Sequence, residues 1–248
     1  MEKQNNICKF CGKTKSLIRA HVIPKAFYIG GNKYVLKDLR EGETKRRNSG
    51  TYDTNILCSD CDNHVLGIYD NYAAELLLRE YTKHIEQQNE DFTIYHFKEN
   101  EFDYNAIRAF IVSILWRASV SNLRECEDVF LGKYENIAKE IIKSENQHCG
   151  LFKMFFFKIS DNNTLIKNVF YFEKVRIEDN ICYRIRIKHY LVFVFVNGKI
   201  EDNIMEMMFN KKDFYIMESK QNDSFEYNKL HNLAKQFKEK KYTNKKVN

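Results

Sequence analysis

The sequence predicts an α+β protein on three observations: two Cys-x2-Cys pairs near the N-terminus, apolar positions at the helical period from about 71 to 143, and alternating apolar positions from 151 onward. The 248 residues are 44% hydrophobic and 14% aromatic, enough apolar surface to offset the entropy of ordering a core, which excludes global disorder. The longest unbroken apolar run, Leu191 to Val196, is far short of the roughly 20 residues a bilayer crossing needs, so no membrane span is expected. Met1 to Asn6 lack the apolar core of a secretory signal, and a cytoplasmic location is expected on that ground.

Charge is unevenly spread. Residues 1–60 carry 12 Lys/Arg against 6 Asp/Glu, residues 61–228 carry 21 against 27, and residues 229–248 carry 7 against 1. Two basic ends bracket an acidic middle, so a polyanion would meet the ends. For the Lys-rich end, a solvated and partly frayed tail is an equal reading. Seven cysteines in a chain of that expected location are reduced thiols rather than disulfides. Cys8 and Cys11 form one pair, Cys58 and Cys61 a second, while Cys126, Cys149 and Cys182 stand singly as candidate core residues. Two close pairs of thiolates suit a closed tetrahedral structural Zn²⁺ site, and Gly12 permits the tight turn after the first pair. A redox Cys-x-x-Cys is the competing reading.

Between the pairs lies Ile18-Arg19-Ala20-His21-Val22-Ile23-Pro24, and around the second pair Asn55-Ile56-Leu57-Cys58-Ser59-Asp60-Cys61-Asp62-Asn63. With the first knuckle, these segments resemble the HNH, or ββα-metal (His-Me finger), endonucleases over about residues 1–70. The resemblance implies a treble-clef zinc module carrying a β-hairpin and a helix, and a metal-dependent nuclease acting on nucleic acid, DNA before RNA. It also suggests restriction or phage defence as the setting. Position by position, it makes His21 the general base that activates water and Asn55 the residue that braces the loop. Asp62, Asn63 and His64 become candidate ligands of a catalytic Mg²⁺ or Mn²⁺, which accept oxygen ligands and retain water. Independently of any family, an imidazole titrating near neutrality suits proton abstraction from water. The competing readings are a hairpin histidine packed on the zinc module or serving as a zinc ligand, and, for residues 62–64, helix capping. Ala20 stands where many members carry an acidic residue or a second His. It motivates the alternative of a zinc-stabilised nucleic-acid-binding or regulatory protein with an inactive motif. A pure protein-interaction module is a third reading.

The segment Lys33 to Asn48 reads as a loop bearing Lys37, Arg40, Lys45, Arg46 and Arg47, either a phosphate-contacting loop or a plain surface one. Residues 71–248 are expected to form a helical and antiparallel-sheet region for substrate or partner recognition, with a protein partner or homodimer left open. Helices are expected over Asn71–Gln88, Tyr104–Val120 and Leu123–Lys143, and a last one over Ser224–Lys240. Strands are expected over Leu151–Ile159, Leu165–Ile177, Ile181–Val196 and Met205–Met217. Tyr183, Ile185 and Ile187 alternate with Arg184, Arg186 and Lys188, so the basic set is either the wet face of a half-buried sheet or a row that tracks phosphates. Trp116 is expected to pack in the core rather than stack on a base.

Overall fold

Apolar strands within residues 153–159, 169–177, 180–187 and 190–195 build the centre of a nine-stranded sheet, and the 3.6-residue repeat of residues 104–120 builds the helix that packs against it. The computed structural model describes residues 5–28, 34–37, 44–47, 50–143, 150–159, 169–177, 180–197 and 209–219. In chain order the strands and main helices are β1 (Asn5–Ile7), β2 (Thr14–Ser16), β3 (Ala20–His21), β4 (Tyr34–Lys37), β5 (Thr44–Arg47), β6 (Tyr52–Asp53), α1 (Gly67–Glu75), β7 (Ile85–Gln88), β8 (Phe92–Lys98), α2 (Tyr104–Val120), α3 (Glu135–Ile142), β9 (Lys153–Ile159), β10 (Val169–Ile177), β11 (Asn180–Ile187), β12 (Tyr190–Phe195) and β13 (Asp213–Ser219). The large sheet runs β5-β4-β10-β11-β12-β9-β13-β8-β7, and β1-β2 and β3-β6 are separate two-stranded ribbons. The fold is thus α+β with a large sheet and a few helices. Among the described residues, no helix is long and apolar enough to cross a membrane.

Helix α2 starts where Asp103 accepts a hydrogen bond from the Ala106 amide (3.0 Å), an N-cap that satisfies one of the first-turn donors. Every residue from Ala106 to Ala118 is buried. A helix buried on all sides must be covered on all sides. The same cluster of buried residues takes in Phe10, Val22 and Phe27 before α1, the α2 residues Phe110 and Trp116, and the sheet residues Phe156, Ile185 and Phe214, so the cysteine-pair region and the sheet share one core across α2.

Several sequence expectations are corrected. The sheet is not purely antiparallel: β10 pairs with β4 and β13 with β9 in parallel. Residues 33–48 are not simply a loop, because β4 and β5 pair antiparallel and extend the sheet edge. The helix expected to reach Gln88 ends by a 3₁₀ turn at Tyr81–His84, after which β7 and β8 form a hairpin in which Asn89 Oδ1 accepts from the amides of Asp91 and Phe92. The helix expected over 123–143 is only α3, preceded by 3₁₀ turns at Arg124–Cys126 and Gly132–Tyr134. The strand expected over 181–196 is two strands, β11 and β12, with a turn at Lys188, whose φ is +54°. The expected helix at Ser224–Lys240 lies outside the described residues, as do residues 165–168 and 205–208 of the expected strands.

The parallel pairing of β9 with β13 carries a buried ion pair. Lys158 Nζ donates to Glu218, whose other carboxylate oxygen accepts from the Tyr95 hydroxyl; the two charged side chains are 9% and 8% exposed. Burial, then the Glu218 charge, pushes the Tyr95 hydroxyl well above its usual range, so it stays a donor. Removing one partner leaves the other charge buried without its counter-ion. We expect Glu218→Ala to cost about 3–5 kcal/mol in urea unfolding followed by circular dichroism, whereas Lys158→Met with Glu218→Leu stays near the parent. A double variant as unstable as the single one would show that the pair itself, not the orphaned charge, sets the cost.

Candidate functional site

The two cysteine pairs meet because short backbone segments bring them together. In the first knuckle the Gly12 amide donates to Cys8 O (2.8 Å) and the Cys8 amide to Lys13 O (3.0 Å), with Gly12 at φ +71°. The β1-β2 ribbon continues into a bridge between Leu17 and Cys58, and the amides of Lys9 and Ile18 donate to Ile56 O and Leu57 O, each at 2.9 Å. The second pair then opens a helical stretch with one wide turn, Asp60–Leu66, leading into α1. As a result the sulfurs of Cys8, Cys11, Cys58 and Cys61 all lie within 4.8 Å of one another. Tetrahedral zinc with Zn–S near 2.3 Å places sulfurs about 3.8 Å apart, so the four fit a metal ion such as zinc. Burial alone would raise the Cys8 thiol, but the amides of Cys11, Cys58 and Phe10 hold it down at about 7; burial and the neighbouring sulfurs push Cys61 up. The Cys8 thiol is thereby drawn toward the thiolate, the form a metal binds.

His21 lies on β3, opposite Tyr52 on β6, with its ring centroid 6.2 Å from that of Tyr52 and 6.5 Å from that of Tyr28. Its side chain is partly exposed, and its carbonyl accepts from Arg117 Nη1 at 3.0 Å. Tyr28 is fixed by the Thr51 amide, which donates to its hydroxyl at 2.8 Å, and burial pushes that hydroxyl up to about 12. Gly50, at φ +78°, closes over the Tyr28 ring; a Cβ there would fall 2.5 Å from it, so only glycine fits.

The first residue after the second pair, Asp62, lies in the wide turn, where its carbonyl accepts from the Gly67 amide. Such turns recur at functional sites. The Asp62 side chain is half-buried, and among the described residues its carboxylate accepts no hydrogen bond. Burial pushes its carboxyl upward and Asp70 adds to this, while Arg117 and His21 act against it, so these four groups share one electrostatic neighbourhood. Asp70 is half-buried and bound bidentately by Arg117, at 2.8 and 3.0 Å.

The other expected site residues lie elsewhere. Asn63 is exposed and donates to Ser59 Oγ (2.9 Å); His64 is exposed and acts on Asp60, which is paired with Lys15. Asn55 is exposed and contributes its backbone amide to Asp53 Oδ1 (2.8 Å). Asp53 is the brace: it is 5% exposed, and its Oδ2 accepts from Ser121 Oγ at 2.7 Å. Lys37, Lys45, Arg46 and Arg47 stand on β4 and β5, and Arg40 lies outside the described residues. Arg184, Arg186 and Lys188 do not form an exposed basic row. Arg184 pairs with Glu173, Arg186 is 0% exposed and donates to His189 O, and Lys188 is in the turn. That face carries its own apolar clusters, around Phe155, Phe157, Phe193 and Phe195, and Cys182 is buried in one of them. Trp116 is fully buried, edge-on to Phe10 at 5.2 Å, as expected for a core residue.

The residues that sequence reasoning missed are Asp53, Asp70 and Arg117, each partnered across a long stretch of chain. Comparisons with family models, with curated proteins and with solved structures found no match to this chain.

Because Phe10 lies between Cys8 and Cys11 and packs on the only tryptophan, metal loss has an optical signature. We expect one zinc per chain by elemental analysis, and a red shift of Trp116 emission with loss of helical ellipticity when a strong chelator removes it. Well-folded protein without zinc, with unchanged emission, would contradict a metal-dependent core.

Proposed function

We propose that this protein is a metal-dependent endonuclease of the HNH type, with Cys8, Cys11, Cys58 and Cys61 holding a structural zinc in a treble-clef module. The observation that carries the reading is Asp62: a half-buried carboxylate, accepting no hydrogen bond among the described residues, within electrostatic reach of His21. A carboxylate in that setting suits a hard cation, and the burial that raises its carboxyl is the cost that a cation would relieve. Asp70 supplies a second negative charge to this neighbourhood. Ala20 offers none, being fully buried opposite Asp53.

In this reading His21 takes the proton from an attacking water at a ring nitrogen, the water oxygen forms the new bond to phosphorus, and the P–O bond to the leaving oxygen breaks. Asp62 would hold a divalent ion, and such an ion, when bound, would supply positive charge to the phosphoryl group. Arg117 fixes the His21 backbone through its carbonyl, and Tyr28 and Tyr52 flank the imidazole, so the ring is presented from a rigid ribbon. The second reading, a nucleic-acid-binding protein with an inactive motif, is favoured by Ala20 alone.

Cleavage of plasmid, single-stranded and RNA substrates in Mg²⁺ and Mn²⁺ separates the two. We expect His21→Ala to lower the cleavage rate about 10²- to 10⁴-fold with zinc content unchanged. Asp62→Asn should raise the divalent-ion concentration needed for half-maximal rate. Salt-sensitive binding with no metal-stimulated cleavage would establish the binding reading, and undiminished cleavage by His21→Ala would remove the assigned role.

A further inference from the structure

Among the described residues, the largest apolar side chain left open to solvent is held rigidly. Phe130 is 72% exposed. Its backbone is nonetheless clamped on both sides: the Tyr183 hydroxyl accepts from the Phe130 amide (3.2 Å) and donates to the Phe130 carbonyl (2.7 Å). The next amide, of Leu131, donates to Ser119 Oγ at 3.0 Å, which ties the loop to α2. Gly132, at φ +52°, lets the ring lie over the backbone, since a Cβ there would stand 3.2 Å from Phe130 Cε1. Exposing an aromatic ring is unfavourable, and fixing it in one place retains that cost without entropy to offset it. Rigid aromatic anchors of this kind are what recognition surfaces present.

The ring borders a cleft of about 170 Å³ lined by Leu131, Tyr134, Ile181, Tyr183 and Lys174. Ile181 is 36% exposed, so the apolar surface continues past the ring. The rim is cationic. Lys174 and Arg176 are exposed on the face of β10 opposite Tyr183 and Ile181, and Lys133 places its ammonium 5.2 Å over the Tyr134 ring. Among the described residues the Asp128 carboxylate, which acts on the Tyr183 hydroxyl, stands near these cations. An apolar slot bordered by Lys174, Arg176 and Lys133 fits a planar ring joined to an anion.

The cleft and the His21 ribbon meet the same strand. On the same face of β10, Phe170 lies 4.6 Å from Tyr28, the ring beside His21. Lys174 is four residues further along, about 13 Å by the rise of a strand. One strand therefore links the His21 ribbon to the cleft through the core, since Phe170 and Phe172 are buried between them.

We propose that this cleft takes an unpaired base of a single-stranded nucleic-acid segment, stacked on Phe130, with the adjoining phosphate at Lys174 and Arg176. This deepens the nuclease reading, on which it rests for the class of substrate, by naming the part of the substrate held away from the reacting bond. Base–aromatic stacking with a cationic track is how sequence-tolerant single-strand binding works.

The test uses zinc-loaded full-length protein without added divalent ions. Binding is read by fluorescence anisotropy with a 12-nucleotide oligothymidylate and with a 20-base-pair blunt duplex. Phe130→Ala should weaken binding of the oligothymidylate about 5- to 150-fold and leave duplex binding within about twofold. Phe130→Trp should retain single-strand binding. Lys174→Ala should flatten the slope of log affinity against log salt by about 0.7. Unchanged single-strand binding by Phe130→Ala, or equal losses for single strand and duplex, overturns the base-stacking site. A parent protein that binds no single strand overturns it too and leaves the patch to a protein partner. Metal-stimulated cleavage of duplex sensitive to His21→Ala, measured separately, decides the nuclease reading whatever the outcome here.

Discussion

A guanidinium cannot be left unpaired in a protein core, and the arrangement around the candidate site follows from how one is satisfied. Arg117 is 1% exposed in the last turns of α2. It has five N–H donors and makes five hydrogen bonds: to Ser113 O, Ser113 Oγ, His21 O and both oxygens of Asp70. Three elements, the His21 ribbon, α1 and α2, are thereby fixed to one planar group. The same end of α2 receives Lys9 Nζ on Val120 O at 2.5 Å, and through Ser121 it holds Asp53 of the ribbon. A cation at the C-terminal end of a helix is favoured by the helix dipole as well.

The cysteine cluster solves a different problem at the same place. The ribbons of residues 5–21 and 52–53 are too short to be stable as isolated strands. Convergence of four sulfurs joins the chain at 8–11 to the chain at 58–61, so the helical stretch that carries Asp62 and Asp70 starts from a fixed point. Arg117 then sets the other end. Between these two anchors His21 and Asp62 face a common neighbourhood without either being part of the core.

Legibility in the sequence followed the range of the interaction. Helix α2 was readable to its ends because both its cap, Asp103, and its apolar stripe are local. The cysteine pairs were readable because ligand spacing is local within each pair. The turn at Lys188 was not, since neither Lys188 nor His189 carries the Gly or Asn signal of a tight turn. The β7-β8 hairpin was hidden because Glu-Gln-Gln reads as the end of a helix. Parallel pairing of β4 with β10 joins residues more than a hundred positions apart, which no local pattern encodes. Asp70 and Arg117 are 47 residues apart and were invisible as a pair for the same reason. For Arg186 a signal did exist. The runs Met154-Phe155-Phe156-Phe157 and Leu191 to Val196 are apolar at both parities, which marks strands covered on both faces rather than one.

In the reading proposed above, two different metal environments would lie side by side, sulfur-bound on one side of the second knuckle and oxygen-bound on the other. Anomalous diffraction from crystals of the zinc-loaded protein soaked in Mn²⁺, collected on both sides of the zinc and manganese edges, locates each ion directly. We expect a zinc peak among the four cysteine sulfurs and a separate manganese peak against the Asp62 carboxylate on the side of His21. A manganese peak elsewhere, or none at Asp62 with zinc in place, would contradict it.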